Sequence, residues 1–268
     1  MGIIDDIGAD WEAALAALSW QADLGVTDVL MEGPVNRYDL AEAAPKVAAR
    51  PAAPVRAEPA PMPVEDKSDP VAAARAAAAS APTLEALREA IAGFDHCELK
   101  KGAKNTVFAD GNPRARVLIL GEAPGRDEDI EGRPFVGRAG QLLDRMFAAI
   151  GLSRQSPDSE SALYITNVMP WRPPANRDPE PAEIATMKPF IDRHIALVGP
   201  QVIVVMGNTP LVTLTGSRGI LKARGNWSEA LGLPLLPMAH PAYLLRNPIA
   251  KREAWADLLS LKARLERV

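Results

Sequence analysis

Four short apolar runs punctuate the chain from residue 117 onward: VLIL at 117–120, LYIT at 163–166, QVIVVM at 201–206 and PLLPM at 234–238. None alternates apolar with polar residues, and glycine, proline or asparagine lies close to the ends. That is the pattern of strands buried on both faces of a parallel sheet. Between and after them lie stretches of helical spacing: 139–150 with Gly151 as its stop, 181–198, a short one from Thr209, and one from Lys251 to about Arg267. This β-α-β-α rhythm predicts an α/β fold whose parallel sheet is covered by helices on both faces.

The chain before this region reads differently. WEAALAALSWQAD at 11–23 puts Trp11, Leu15, Leu18 and Ala22 on one stripe behind a plausible Asp10 cap, the signature of a short amphipathic helix. Its two tryptophans suit an anchor against the main domain or a partner better than a cofactor site. Residues 41–82 are dominated by alanine and proline and offer almost no large apolar side chain to bury, so they are expected to form a flexible linker, with the alanine run at 71–79 helical but loosely attached. A helix capped by Thr83 then leads to Asp95, His96 and Cys97. The expected organisation is a helical segment at 1–40, a linker at 41–82 and a catalytic domain at 83–268.

Composition narrows the class. The 268 residues contain no uninterrupted apolar run of membrane-spanning length, and the first residues carry no basic segment leading into an apolar one, which points to a soluble, cytoplasmic protein. Cys97 is the single cysteine and His96, His194 and His240 are the histidines, so a Cys/His metal cluster is not expected. The formal charge of −4 conceals an asymmetry: residues 1–94 hold 7 Lys/Arg against 15 Asp/Glu, and residues 95–268 hold 23 against 19. An arginine-rich, mildly basic body is compatible with a phosphate-bearing partner, because each guanidinium presents a planar fork to phosphate oxygens.

Candidate chemistry sits where the strands end. GEAPGRDED at 121–129 follows the first run, Asn167 the second, and His240-Pro241 the last. In a parallel sheet all three ends share one edge, so a carboxylate, an amide and an imidazole converge on one crevice. A carboxylate orients a water or steadies a cation, an asparagine pairs with an amide-like edge, and a histidine donates to a developing anion. Taken singly, each has a structural alternative as a turn residue, a helix cap or a solvated acidic run. Two rigid arginine-bearing loops, at 171–179 and 240–248, have the mixture of apolar wedge and cation that presses into a nucleic-acid groove. Leu244 and Leu245 serve equally well as core residues. GxGxxG and GxxxxGK[ST] are both absent.

Three ordered motifs, GEAPGRDEDIEGRPFVGRAGQLLDRM, YITNVMPWRPPANRDP and HPAYLLRNP, make residues 95–268 resemble the uracil-DNA glycosylase superfamily, closest to its family 4. The resemblance implies a three-layer α/β/α fold with a central four-stranded parallel sheet. It also implies hydrolysis of the N-glycosidic bond of a deoxyuridine flipped out of DNA, leaving an abasic site. By the same resemblance Phe135 stacks on the uracil ring, Asn167 reads its edge, and Glu122, Ala123 and Pro124 form the pocket wall through main-chain contacts. Glu128 handles the water with Asp129 as fallback, and His240 stabilises charge on the departing base. The two arginine-bearing loops are expected to contact DNA through Arg172, Arg177, Tyr243, Leu244 and Arg246, and the expected partners are uracil-containing and abasic-site DNA, met by a monomer.

Family 4 enzymes carry four cysteines around a [4Fe–4S] cluster. Here Cys97 stands alone, with Phe94, Trp171 and Met187 at the other matched positions. One thiolate cannot hold the cluster. The expectation is an enzyme with no cofactor, in which these apolar side chains form a plug that takes over the cluster's packing role. Two other readings stay open: a non-enzymatic uracil-DNA or abasic-site binding protein, and a metal-dependent nucleotide hydrolase using Asp127, Glu128 and Asp129.

Overall fold

The computed structural model of the protein describes residues 69–267 and, before them, Leu15 alone. The amphipathic helix expected at 11–23 and most of the expected linker therefore lie outside the described residues.

All four apolar runs are strands: β2 (Val117–Gly121), β3 (Leu163–Asn167), β4 (Val202–Met206) and β6 (Leu233–Met238). They pair in parallel in the order β3-β2-β4-β6. The sheet, however, has six strands, because β1 (Ala109–Gly111) and β5 (Ser228–Ala230) add antiparallel edges to β3 and β6. The expected four-stranded count is corrected on that point, while the α/β class and the parallel core hold. Each edge strand is three residues long and lacks an apolar run, so it gives the sequence pattern nothing to show.

Alternation along the strands feeds two cores. Leu118, Leu120, Tyr164, Ile203 and Val205 face one layer, which packs under α1 (Pro70–Ala79), α2 (Leu84–Ala92) and α6 (Pro181–Val198). Val117, Ile119, Ile165, Val204 and Met238 face the other, under α5 (Arg138–Ala148) and α10 (Lys251–Leu265). The result is three layers, α/β/α.

Helix α1 changes the reading of the alanine run. Asp69 caps it by accepting the Val71 N–H at 3.0 Å, Pro70 occupies its first turn, and Ala74 and Ala78 are buried against α6. Methyl-sized side chains let two helix backbones approach closely, so a segment poor in large apolar residues still docks. Arg193 of α6 fixes the exit by donating to the Ala81 carbonyl at 2.9 Å. Residues 70–82 thus belong to the folded body and not to a linker.

Two segments expected to be loops are also helical. α4 (Arg126–Glu131) follows β2 after a four-residue turn, and α9 (Pro241–Arg246) follows β6 after two residues, with α3 (Leu99–Gly102), α7 (Asn208–Thr215) and α8 (Ile220–Ala223) completing the α-helices of residues 69–267. The chain leaves β2 toward β3 on one side and returns to β4 on the other, so the β2/β4 junction is a topological switch point. A crevice opens there, outside the carboxyl ends of the strands.

Candidate active site

Register places the first pieces. Gly121 pairs with Asn167 across β2 and β3, and Met206 with Met238 across β4 and β6, so the four strand ends lie level. Glu122, Asn167, Gly207 and His240 all line a crevice of about 840 Å³ at that edge. Gly121 must lack a side chain, because a methyl there would overlap the Asn167 Oδ1 and the Phe135 ring. These two side chains close over the end of β2.

Asn167 is 4% exposed and its Oδ1 has no hydrogen-bond partner. A buried amide oxygen left unpaired costs roughly 1–3 kcal/mol, and such a group normally finds a partner. Here it faces the crevice, where a ligand's N–H would complete it.

His240 caps α9: its Nδ1 accepts the Ala242 N–H at 3.1 Å. An accepting Nδ1 carries no proton, so the neutral ring holds its hydrogen on Nε2. Burial, reinforced by the nearby Arg246, lowers the His240 pKa from 6.5 to about 4. The imidazole is therefore a neutral donor at physiological pH. The Phe135 ring stacks against it with centroids 5.5 Å apart and planes 29° from parallel.

The carboxylates divide. Burial raises the pKa of Glu122 above the usual carboxylate range, with Thr209 hydrogen bonding working in the opposite sense. Its carbonyl accepts the Met169 N–H at 2.9 Å, which ties the end of β2 to the segment after β3, and the residue lines the crevice. Glu128 also lines the crevice, and its Oε1 accepts the Val136 and Gly137 N–H groups at 2.9 Å each while Oε2 accepts that of Gly125 at 3.1 Å. Asp129 points away. It is buried, and its Oδ1 accepts the Lys104 and Asn105 N–H groups at 2.8 and 3.1 Å. It is a structural clamp on the preceding loop, and its expected fallback role with water is withdrawn.

Ala123 and Pro124 line the wall as expected, and Arg177, Tyr243 and Arg246 the mouth. Arg177 is held by Glu183 through hydrogen bonds of 2.9 and 2.7 Å. Arg172 lies off the crevice lining and donates to Asn176 at 2.8 Å. Leu244 does not reach the surface: it is fully buried with Leu142, Ala239 and Ala254, because α9 turns that face inward, so its expected contact with DNA is corrected to a core role. Gly207, Thr209 and Arg218 also line the crevice and were not expected. The strand-end rule that singled out Asn167 applied equally to Gly207, which ends β4 at φ +104.

The iron–sulfur cluster implied by the resemblance does not fit these residues. Phe94, Cys97, Trp171 and Met187 are all buried in one apolar core, with Phe94 edge-on to Phe190 at 5.1 Å and the Trp171 Nε1–H donating to Thr106 Oγ1 at 3.1 Å. One thiol among three apolar side chains supplies no ligand set. Among the described residues, no three His, Cys, Asp or Glu side chains converge to hold a metal, and this includes Asp127, Glu128 and Asp129.

A mixed sheet with a parallel core and a switch-point crevice lined by an amide, an imidazole and an aromatic ring defines an α/β protein with one polar, ring-lined cleft. The family model for the uracil DNA glycosylase superfamily matches residues 108–259, and the chain belongs to that superfamily. It is 39% identical over 190 residues to the type-4 uracil-DNA glycosylase of Sulfurisphaera tokodaii, covering 67% of this chain and 84% of the relative. The type-4 enzyme of Thermotoga maritima is 39% identical over 167 residues, covering 61% and 84%. The type-5 uracil-DNA glycosylase of Thermus thermophilus is 30% identical over 134 residues, covering 47% and 61%.

Proposed function

We propose that this protein is a uracil-DNA glycosylase that hydrolyses the N-glycosidic bond of deoxyuridine flipped out of DNA, leaves an abasic site, and works as a cytoplasmic monomer without an iron–sulfur cluster. The observation that carries the proposal is the buried, unpartnered Asn167 amide sharing one crevice with the Nε2–H of His240 and the Phe135 ring. A pyrimidine edge that presents one N–H beside a carbonyl satisfies an amide's oxygen and nitrogen together. Apolar stacking on Phe135 holds the flipped ring, and the target has to leave the stack because its glycosidic bond is unreachable inside a duplex.

The chemistry follows from how charge develops. Bond cleavage builds positive charge on the sugar and negative charge on the departing uracil. His240, neutral and donating from Nε2, stabilises that anion and contributes more in the transition state than in the bound substrate. Glu128 faces the crevice with an Oε2 that holds a single backbone donor, which leaves a lone pair for the attacking water. Glu122 presents a second carboxyl whose burial keeps it protonated to higher pH than an exposed glutamate. Arg218 and Arg246, exposed on the rim, and Arg177 beside them are placed to meet phosphates.

The test is release of free uracil from a uracil-containing oligonucleotide, with the abasic strand revealed by alkaline cleavage. The wild-type protein is expected to release uracil, and the Asn167→Ala and His240→Ala proteins to do so far more slowly. Retention on uracil or abasic DNA without release would establish a binding protein instead.

A further inference from the structure

Phe135 adopts φ +54, a left-handed backbone conformation that non-glycine residues rarely take. Something must hold it there, and three contacts do. Glu128 takes the Val136 and Gly137 N–H groups on one side. Gly140 lacks the Cβ that would otherwise overlap the Phe135 carbonyl. On the far side Arg154, from the loop between α5 and β3, donates from Nη1 to the Pro134 carbonyl at 2.8 Å and from Nη2 to the Phe135 carbonyl at 2.9 Å.

The Arg154 side chain is only 8% exposed and its charge is balanced by Asp110 at 3.0 Å and Asp144 at 2.8 Å. It thus ties strand β1, helix α5 and the backbone of the Phe135 turn to one guanidinium. A planar fork with five fixed donors can serve two carbonyls and two carboxylates at once, and an ammonium cannot. We infer that Arg154 is a positioning residue for the base-stacking aromatic: by fixing the two carbonyls of a strained turn it sets the plane of Phe135 against His240 and over Gly121. The inference rests on the uracil-glycosylase reading for its effect on rate, but its effect on the ring is independent of that reading.

The experiment compares Arg154→Lys and Arg154→Gln with the wild type, alone and combined with Phe135→Leu. A misplacement on the ångström scale costs about 10²-fold in a positioned reaction. Arg154→Lys is expected to lower the single-turnover rate of uracil release by about 10- to 100-fold in the wild-type background and by less than about 3-fold beside Phe135→Leu, since a residue acting through another loses its effect when that one is gone. Equal losses in both backgrounds would overturn the inference. A second readout uses no DNA. With His96, His194 and His240 as the protein's histidines, NMR of the imidazoles reports the ring current of Phe135 on His240. Either variant is expected to shift the His240 signals and leave those of His96 and His194 in place. Unmoved His240 signals in a folded variant would overturn the inference, whereas a wild type that releases no uracil overturns the proposed function and leaves the NMR outcome to decide the role of Arg154.

Discussion

Replacing Asn167 by alanine separates function from stability more sharply than any other substitution in the crevice. The amide is buried, and its Oδ1 has no partner in the free protein, so the folded state already bears an unpaired acceptor. Removing that acceptor relieves about 1 kcal/mol or more, which offsets the packing lost with the side chain. The fold is therefore expected to change stability by less than about 1 kcal/mol. The bound base loses both edge contacts at once and keeps its own donor and acceptor buried. At roughly 1.5–2 kcal/mol for each uncompensated group the loss is about 3–4 kcal/mol, or about 10²–10³-fold in rate. Single-turnover uracil release from a labelled oligonucleotide reads the second quantity and a urea or thermal melt the first. A fall of less than about fivefold in rate, or a stability loss above about 2 kcal/mol, would refute the reasoning and make Asn167 a structural amide.

Other substitutions probe the rest of the account. His240→Ala is expected to lower the rate by about 10²–10³-fold, the scale of a lost oxyanion donor, with affinity for abasic DNA retained in a gel-shift assay. Burial lowers the pKa of His240 to about 4 and that of His194 to about 3, so both contribute stability that is present above the unfolded value of 6.5 and lost as pH falls toward those values. Denaturant melts between pH 8 and pH 4 are expected to show the decline, and His194→Gln to make it shallower. Trp171→Ala opens the apolar core at a fully buried site and is expected to cost about 3–5 kcal/mol in a urea melt, whereas Trp171→Phe costs less.

The parallel strands were legible because each is a continuous apolar run buried on both faces, and periodicity reports that directly. The edge strands and α1 were not, for opposite reasons. Ala109–Gly111 and Ser228–Ala230 are ordered by neighbouring strands and not by their own composition. Pro70–Ala79 docks through methyl groups too small to register as a core. Within the crevice, strand ends identified Asn167 and His240, since those positions follow from register alone. The division of labour between Glu128 and Asp129 did not follow, because it depends on which backbone N–H each carboxylate meets after Arg126–Glu131 coils into a helix. Arg154 lies 19 residues beyond Phe135 in the chain and carries no local pattern, so only the folded turn exposes its role.

The central claim is that an Asn167–His240–Phe135 crevice excises uracil in a protein whose Phe94, Cys97, Trp171 and Met187 are packed in an apolar core. The most direct test measures free uracil and bound iron on one purified batch of the full chain. The account expects uracil release with negligible iron and activity that does not change on adding iron or a chelator. Retention of uracil-containing DNA without release, or a rate that rises and falls with iron content, would contradict it.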